Sequence, residues 1–392
     1  GQSILIGLND GGPTYSLTIQ NTGWQQITIP LSDLGSPSQI DSIVWQNNTA
    51  APQPTFYLDE ITLMGNTTPP TPTSAPELSV HASMNHHPIS PFIYGMNFPD
   101  ADLAQELQLP IARWGGNATT RYNWQYDISN QAMDWYYENY QQNAEHTRLE
   151  QFIEQNLASE TESIVTLPLI GWMPKNDPLA CSFSIEKYGP QQDNDWQWRP
   201  NCGNGIRNNG TLITNNDPND TSMPITPANV SSEIQHLIGQ YQSADQGGVA
   251  FYNLDNEPML WYDTHRDVHP SPTTYDEMRD RTIAYAAAIK QTDPQAQTLG
   301  PVTWGWTAYF WSAYDWESGD EWWLNPQDRN AHSGMPFTAW YLQQLKTYQD
   351  QHGTRLLDYL DLHYYPAANQ VALSPAGNAT IQALRLRSTR SL

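Results

Sequence analysis

The run Gly248-Val-Ala-Phe-Tyr-Asn-Leu254, followed at once by Asp255-Asn256-Glu257-Pro258, decides how the rest of the chain is read. Six of its seven residues are apolar, glycine or aromatic, which suits a strand covered on both faces, as in a parallel sheet packed between helices. Pro258 has no backbone N–H and stops the strand. It also biases Glu257 toward an extended backbone, which would aim that carboxyl beyond the strand end. Buried strand, polar rim and proline stop together describe one spoke of a larger α/β fold.

Working outward, strand-like runs recur at residues 93–98, 110–116, 163–169, 298–304 and 357–364. Helical periodicity falls between them at 101–108, 146–158, 228–242, 275–291 and 337–351. Five strand–helix crossovers in succession argue a parallel sheet covered by helices. No Gly-x-Gly-x-x-Gly follows the first strand, which speaks against a dinucleotide-binding sheet. Each strand instead ends in a polar-aromatic group: Asn97, Arg113-Trp-Gly-Gly-Asn117, Trp172, Asp255-Asn-Glu257, Thr303-Trp-Gly-Trp306 and Asp361-Leu-His363-Tyr-Tyr365. Functional residues at the carboxyl ends of successive strands are the habit of a (β/α)8 TIM barrel. Six strands are legible, so two of the eight are expected to be missing.

The first 65 residues read as all-β, with short alternating runs at 3–8, 15–20, 24–30, 40–46 and 56–64, expected to form part of a β-sandwich. Trp24 and Trp45 are either core residues or stacking platforms, core being the simpler view. Residues 66–77 form a linker, with four prolines among Asn66-Thr-Thr-Pro-Pro-Thr-Pro-Thr-Ser-Ala-Pro76. Such a Pro/Thr-rich segment is a semi-rigid spacer between modules. The barrel domain then occupies 78–392.

Composition narrows the function. The 392 residues carry a formal net charge of −24, from 17 Lys+Arg against 41 Asp+Glu, which argues against electrostatic partnership with nucleic acid or an anionic membrane. No run is long and apolar enough to span a bilayer. Sixteen Trp and 21 Tyr rule against a disordered chain. A chain rich in Trp and amides, poor in Lys and acidic is expected of a secreted protein that handles sugars. Cys181 and Cys202 close a disulfide only if they meet in an oxidising compartment, which spacing leaves open.

A carboxylic acid at Glu257, shielded by aromatic neighbours, would have a raised pKa and could protonate a glycosidic oxygen. Asn256 beside it could hydrogen-bond a sugar hydroxyl. The competing reading has Glu257 capping the next helix or pairing with an arginine. By strand alternation Asp255 and Glu257 would share a face.

The runs Ile93-Tyr-Gly-Met-Asn-Phe98, Arg113-Trp-Gly-Gly-Asn-Ala-Thr-Thr-Arg-Tyr-Asn-Trp124, Tyr252-Asn-Leu-Asp-Asn-Glu-Pro258 and Leu360-Asp-Leu-His-Tyr-Tyr365 resemble glycoside hydrolase family 44. The resemblance extends over residues 78–392. It implies a secreted, retaining endo-β-1,4-glucanase or xyloglucanase built on a (β/α)8 barrel, with residues 78–91 contributing to an accessory β-sandwich. Glu257 matches the family's acid/base glutamate and Asn256 the asparagine before it. The family nucleophile is a glutamate in a Thr-Glu-Tyr context at the end of the eighth strand. This chain ends at Leu392 without one, and it opens as though inside a strand, so it is expected to be part of a longer polypeptide. Its first module resembles the later strands of a jelly-roll carbohydrate-binding module.

Other candidates carry two readings each. Arg113 either tunes the nucleophile by its charge or makes a structural ion pair. His363 and Tyr364 either touch the nucleophile or a sugar, or belong to the core. Asn97, Trp114, Asn117, Trp172, Trp304, Trp306, Trp322 and Trp323 are candidate groove contacts, because a pyranose ring stacks its C–H face on a flat aromatic. Asp217 and Asp220 offer hard oxygens to a structural calcium, or simply solvate their loop. His265 and His269 lie four apart, but among prolines, where a metal pair is not expected. No organic cofactor is implied. The expectation is therefore a monomeric, secreted endoglucanase acting on cellulose-like β-glucan or xyloglucan, with its nucleophile outside this chain. The alternatives are another hemicellulase of the same barrel clan, such as an arabinofuranosidase, or a non-catalytic glycan-binding fragment.

Overall fold

The computed structural model describes residues 2–9, 12–19, 26–40, 42–49, 89–142 and 146–365. The chain divides into two compact units, residues 1–86 and 87–392.

In the larger unit six parallel strands lie side by side in chain order: β1 (Gly95–Asn97), β2 (Ile111–Trp114), β3 (Glu162–Leu167), β4 (Phe251–Leu254), β5 (Gln297–Thr303) and β6 (Tyr359–Leu362). The register runs through Gly95↔Ile111, Arg113↔Ile164, Ile164↔Phe251, Tyr252↔Thr298 and Leu299↔Tyr359. This is the strand sequence of a (β/α)8 barrel, with six strands among the described residues. Every residue of β4 is buried, as the apolar run required, while β1 and Tyr359 of β6 are exposed at the two edges.

Five helices make the crossovers: α1 (Ala101–Leu107), α2 (Arg148–Ala158), α3 (Pro227–Tyr241), α4 (Tyr275–Thr292) and α5 (Phe337–His352). Their ends are set by local chemistry. Asp100 accepts from Leu103 N at the start of α1, Thr147 and Glu150 form a capping box on α2, and Gly353 ends α5 with φ +73. Leu149, Phe152 and Ile153 of α2, with Val230, Ile234 and Leu237 of α3, pack into one core with the sheet.

Two insertions stand on the carboxyl side of the sheet. After β2, Tyr122–Asn123, Ile128–Asn130 and Asn139–Gln141 form a three-stranded antiparallel sheet. After β3, Trp172–Pro174 pairs with Ser222–Pro224, and a disulfide joins Cys181 to Cys202, with Cα atoms 5.7 Å apart. That settles the cysteine question in favour of pairing. A fully buried ion pair, Arg121 Nη1 to Asp267 Oδ2 at 2.7 Å, links the insertion after β2 to the segment following β4, and Ser182 donates to the same oxygen.

The first unit holds a three-stranded antiparallel sheet, Gln2–Leu8 between Thr14–Ile19 and Ile43–Asn47, with Ile4, Ile6, Leu8 and Leu34 buried. Residues 26–30 are not a strand, contrary to the reading of 24–30, and Ile27 is exposed. Alternation over so short a run does not secure a strand when no described residue pairs with it. The run 56–64, the linker 66–77 and most of 78–91 lie outside the described residues, as do residues 24 and 25.

Candidate active site

β2, β4 and β6 deliver a convergent group at the carboxyl end of the sheet. Glu257 does not take the extended backbone expected before Pro258. It is left-handed, φ 47 and ψ 52, and Asp255 is also at positive φ, 73. Two non-glycine residues with positive φ on one strand end are a strained arrangement of the kind found at functional sites. The cause lies in neighbouring strands: Glu257 N donates to Val302 O at 3.0 Å, while the Asp255 carboxylate accepts from Leu169 N at 2.5 Å and Ile170 N at 3.0 Å. These bonds break the alternation that would have put Asp255 and Glu257 on one face. Glu257 begins the following 3-10 turn, yet its side chain makes no cap there.

Its carboxyl points instead to β6, where Oε1 lies 2.7 Å from His363 Nδ1, each side chain being 16% exposed. Arg113 Nη2 donates to Asn256 Oδ1 at 2.8 Å, and a methyl group on Gly115 would overlap that guanidinium. Burial lowers the Arg113 pKa, opposed by the charges of Asp361 and Glu257. Asn97 Nδ2 donates to Gly115 O at 3.2 Å, bracing the same turn. Burial pushes the Asp255 carboxyl up to about 6 against the backbone N–H groups it accepts.

Tyr364 is exposed and makes no described bond to Glu257; its neighbour Tyr365 is the one beside that carboxyl. Burial, and next the Glu257 charge, raise the Tyr365 phenol. Period-two spacing from His363 was the signal that could have found it. Asp361, two residues before His363, accepts from Asn253 Nδ2 at 3.1 Å.

The remaining candidates disperse. Trp114 is buried against Phe98, Tyr122 and Phe152, a core position rather than a groove contact. Asn117 donates to Asp134 Oδ2 at 3.1 Å. Trp172 and Trp304 are partly buried on the core, whereas Trp306 and Trp323 are exposed. Trp322 stands edge-on to both Trp311 and Trp323. Trp316, Glu317, Glu321, Trp322 and Trp323 line a cavity of about 570 Å³.

Asp217 is taken up by Asn219, and Asp220 by the Lys187 ammonium and the Tyr188 hydroxyl. A lysine already bound there does not fit a calcium site. Among the described residues no group of three or more His, Cys, Asp or Glu side chains could hold a metal ion. His265 is fully buried, and His269 Nε2 faces Glu277 at 2.8 Å.

A parallel (β/α) sheet with a strained carboxyl-bearing turn at the end of its fourth strand, where Asn256 shares the turn and Arg113 and His363 reach in from the second and sixth strand ends, is the arrangement expected of the acid half of a barrel glycosidase. The model of glycoside hydrolase family 44 matches residues 128–368, more than half of the chain. The chain belongs to that family.

It is 30% identical over 312 residues to a beta-mannanase/endoglucanase A of Caldicellulosiruptor saccharolyticus, covering 75% of this chain and 21% of the relative. It is also 30% identical to endoglucanase A of Paenibacillus lautus, over 78% of this chain and 42% of that one. Among solved structures, CelM2, a bifunctional glucanase-xylanase from a metagenome library, superposes with TM-score 0.72 at 40% identity, over 77% of this chain and 58% of that one. A Paenibacillus polymyxa xyloglucanase in complex with xyloglucan gives TM-score 0.55 at 28% identity, over 76% and 57%. The chain thus spans well under two thirds of these relatives.

Proposed function

We propose that the chain carries the acid/base half of a secreted, monomeric, retaining endo-β-1,4-glucanase acting on cellulose-like glucan or xyloglucan. The observation that carries this is the placement of Glu257: at the end of β4, Oε1 against His363, beside an Asn256 held by Arg113. The endoglucanase and xyloglucanase names of its relatives support the substrate class.

In this reading Glu257 protonates the leaving glycosidic oxygen and then takes a proton from the water that releases the sugar. Asn256 engages a hydroxyl next to the reacting carbon. Retention needs a second carboxylate about 5–5.5 Å from the first. Asp255 is buried under backbone N–H groups and Asp361 is held by Asn253, so neither suits that role. We place the nucleophile outside the 392 residues. The buried Arg113 Nε, without a protein acceptor among the described residues, is a donor such a carboxylate would satisfy.

The test is reducing-end release from soluble β-glucan, xyloglucan and xylan by the chain and its Glu257→Gln variant, beside an affinity gel of the same glycans. Gel retardation without turnover is expected. Turnover abolished by Glu257→Gln would keep the acid and overturn the absent nucleophile. The absence of both turnover and retardation overturns the reading.

A further inference from the structure

Away from Glu257, the loops after β2 and β3 bring two tryptophans together in solvent. Trp135 and Trp198 have ring centroids 5.5 Å apart, tilted by 51°, and are 42% and 63% exposed. With Gln131, Glu138, Tyr140 and Arg199 they line a cavity of about 430 Å³ that contains none of Arg113, Asn256, Glu257 or His363. We propose that this cavity is a second glycan site, which binds a neutral β-linked oligosaccharide independently of the strand-end cluster.

The walls are held before any ligand arrives. Asp195 accepts from Trp198 N and Arg199 N, both at 3.2 Å, fixing the turn that presents the Trp198 ring. Arg199 donates to Asn139 O at 2.6 Å and pairs with Glu138 Oε2 at 3.3 Å. Cys181, stapled to Cys202, bridges to the backbone of Glu138. On the other side Tyr136, next to Trp135, donates to Asp193 at 3.0 Å. Preorganised aromatic walls spare the ligand the cost of ordering them.

One polar atom is left open. Glu138 is only 4% exposed, and its Oε1 receives no protein N–H or O–H. Burial pushes Glu138 up to about 7, opposed by the Arg199 charge and helped by the Asp195 carboxyl, which lies within hydrogen-bond reach of it. A buried acceptor without a donor is costly, and a ligand hydroxyl satisfies it. Flat apolar faces with a few fixed polar groups suit a sugar ring, whose C–H face stacks while its hydroxyls bond at the edge. The facing carboxyls and the charge of −24 disfavour an anionic ligand, and Arg199 in the wall disfavours a cation.

The experiment is hydroxyl-radical footprinting of the 392-residue chain with cellohexaose and with xylohexaose, repeated on an Asn256→Ala variant. Oxidation of Trp135 and Trp198 is expected to fall severalfold with one of the hexasaccharides, equally in both proteins. In parallel, Trp198→Ala should abolish the protection of Trp135 while Trp198→Phe retains most of it. Unchanged oxidation with both sugars overturns the site, as does a Trp198→Ala variant in which Trp135 is protected as before. Protection lost in Asn256→Ala would make the cavity part of the Glu257 groove and overturn its independence. Hydrolysis by the chain is not a readout here, so this test and that of the Glu257 reading fail separately.

Discussion

The Glu257 carboxyl meets the His363 imidazole across the gap between the fourth and sixth strands, 2.7 Å apart. The contact holds the acid in one rotamer at the rim. In the enzyme with both carboxylates, Glu257→Gln should lower kcat by roughly 10³-fold, the usual scale for losing a general acid. His363→Ala should lower kcat about tenfold with KM little changed, because it releases the acid without removing a sugar contact. Steady-state kinetics on soluble glucan separate the two.

Gly115 leaves room for Arg113. Gly115→Ala should push the guanidinium off Asn256 and weaken glycan retention in an affinity gel, with stability changed by no more than about 1–2 kcal/mol. Urea unfolding run beside the gel distinguishes a displaced side chain from a damaged fold.

Glu233 on α3 is fully buried, and burial raises its carboxyl from the ordinary 4.5 to about 8. Between those values the folded chain keeps a proton that the unfolded chain releases. The contribution to stability is therefore complete below about pH 4.5 and is lost as pH rises through about 8. Glu233→Gln removes this loss, so its unfolding free energy from urea titration should fall less between pH 5 and 8, by on the order of a few kcal/mol at pH 8.

The Arg121–Asp267 pair has no solvent to fall back on. Asp267→Ala should cost about 3–5 kcal/mol, since it strands a buried guanidinium. Calorimetry reads this directly.

Opening the Cys181–Cys202 bond should cost roughly 3 kcal/mol, the scale for a loop of this length. The damage should concentrate in residues 172–224, where limited proteolysis after reduction would find the first cuts.

Strands and helices of the barrel were legible because their signals are local: an apolar run ending at Pro258, or a Thr147–Glu150 cap ahead of Leu149, Phe152 and Ile153. What misled was information held by other strands. The pre-proline bias of Glu257 is overruled by the bond to Val302, and Trp114, adjacent to Arg113, turns into the core while Arg113 turns to the rim. Tyr365 rather than Tyr364 approaches the acid for the same reason. The Trp135–Trp198 pair joins residues over sixty positions apart, so no window of sequence could show it.

In the six-stranded sheet every strand after the first is bonded to the one immediately before it in the chain. During synthesis, then, each of β2 to β6 emerges after the strand it pairs with, so the described sheet can grow one strand at a time. The steps are unequal: the long interval between Leu167 and Phe251 has to be closed before β4 can join β3, which makes that addition the slow one of the series.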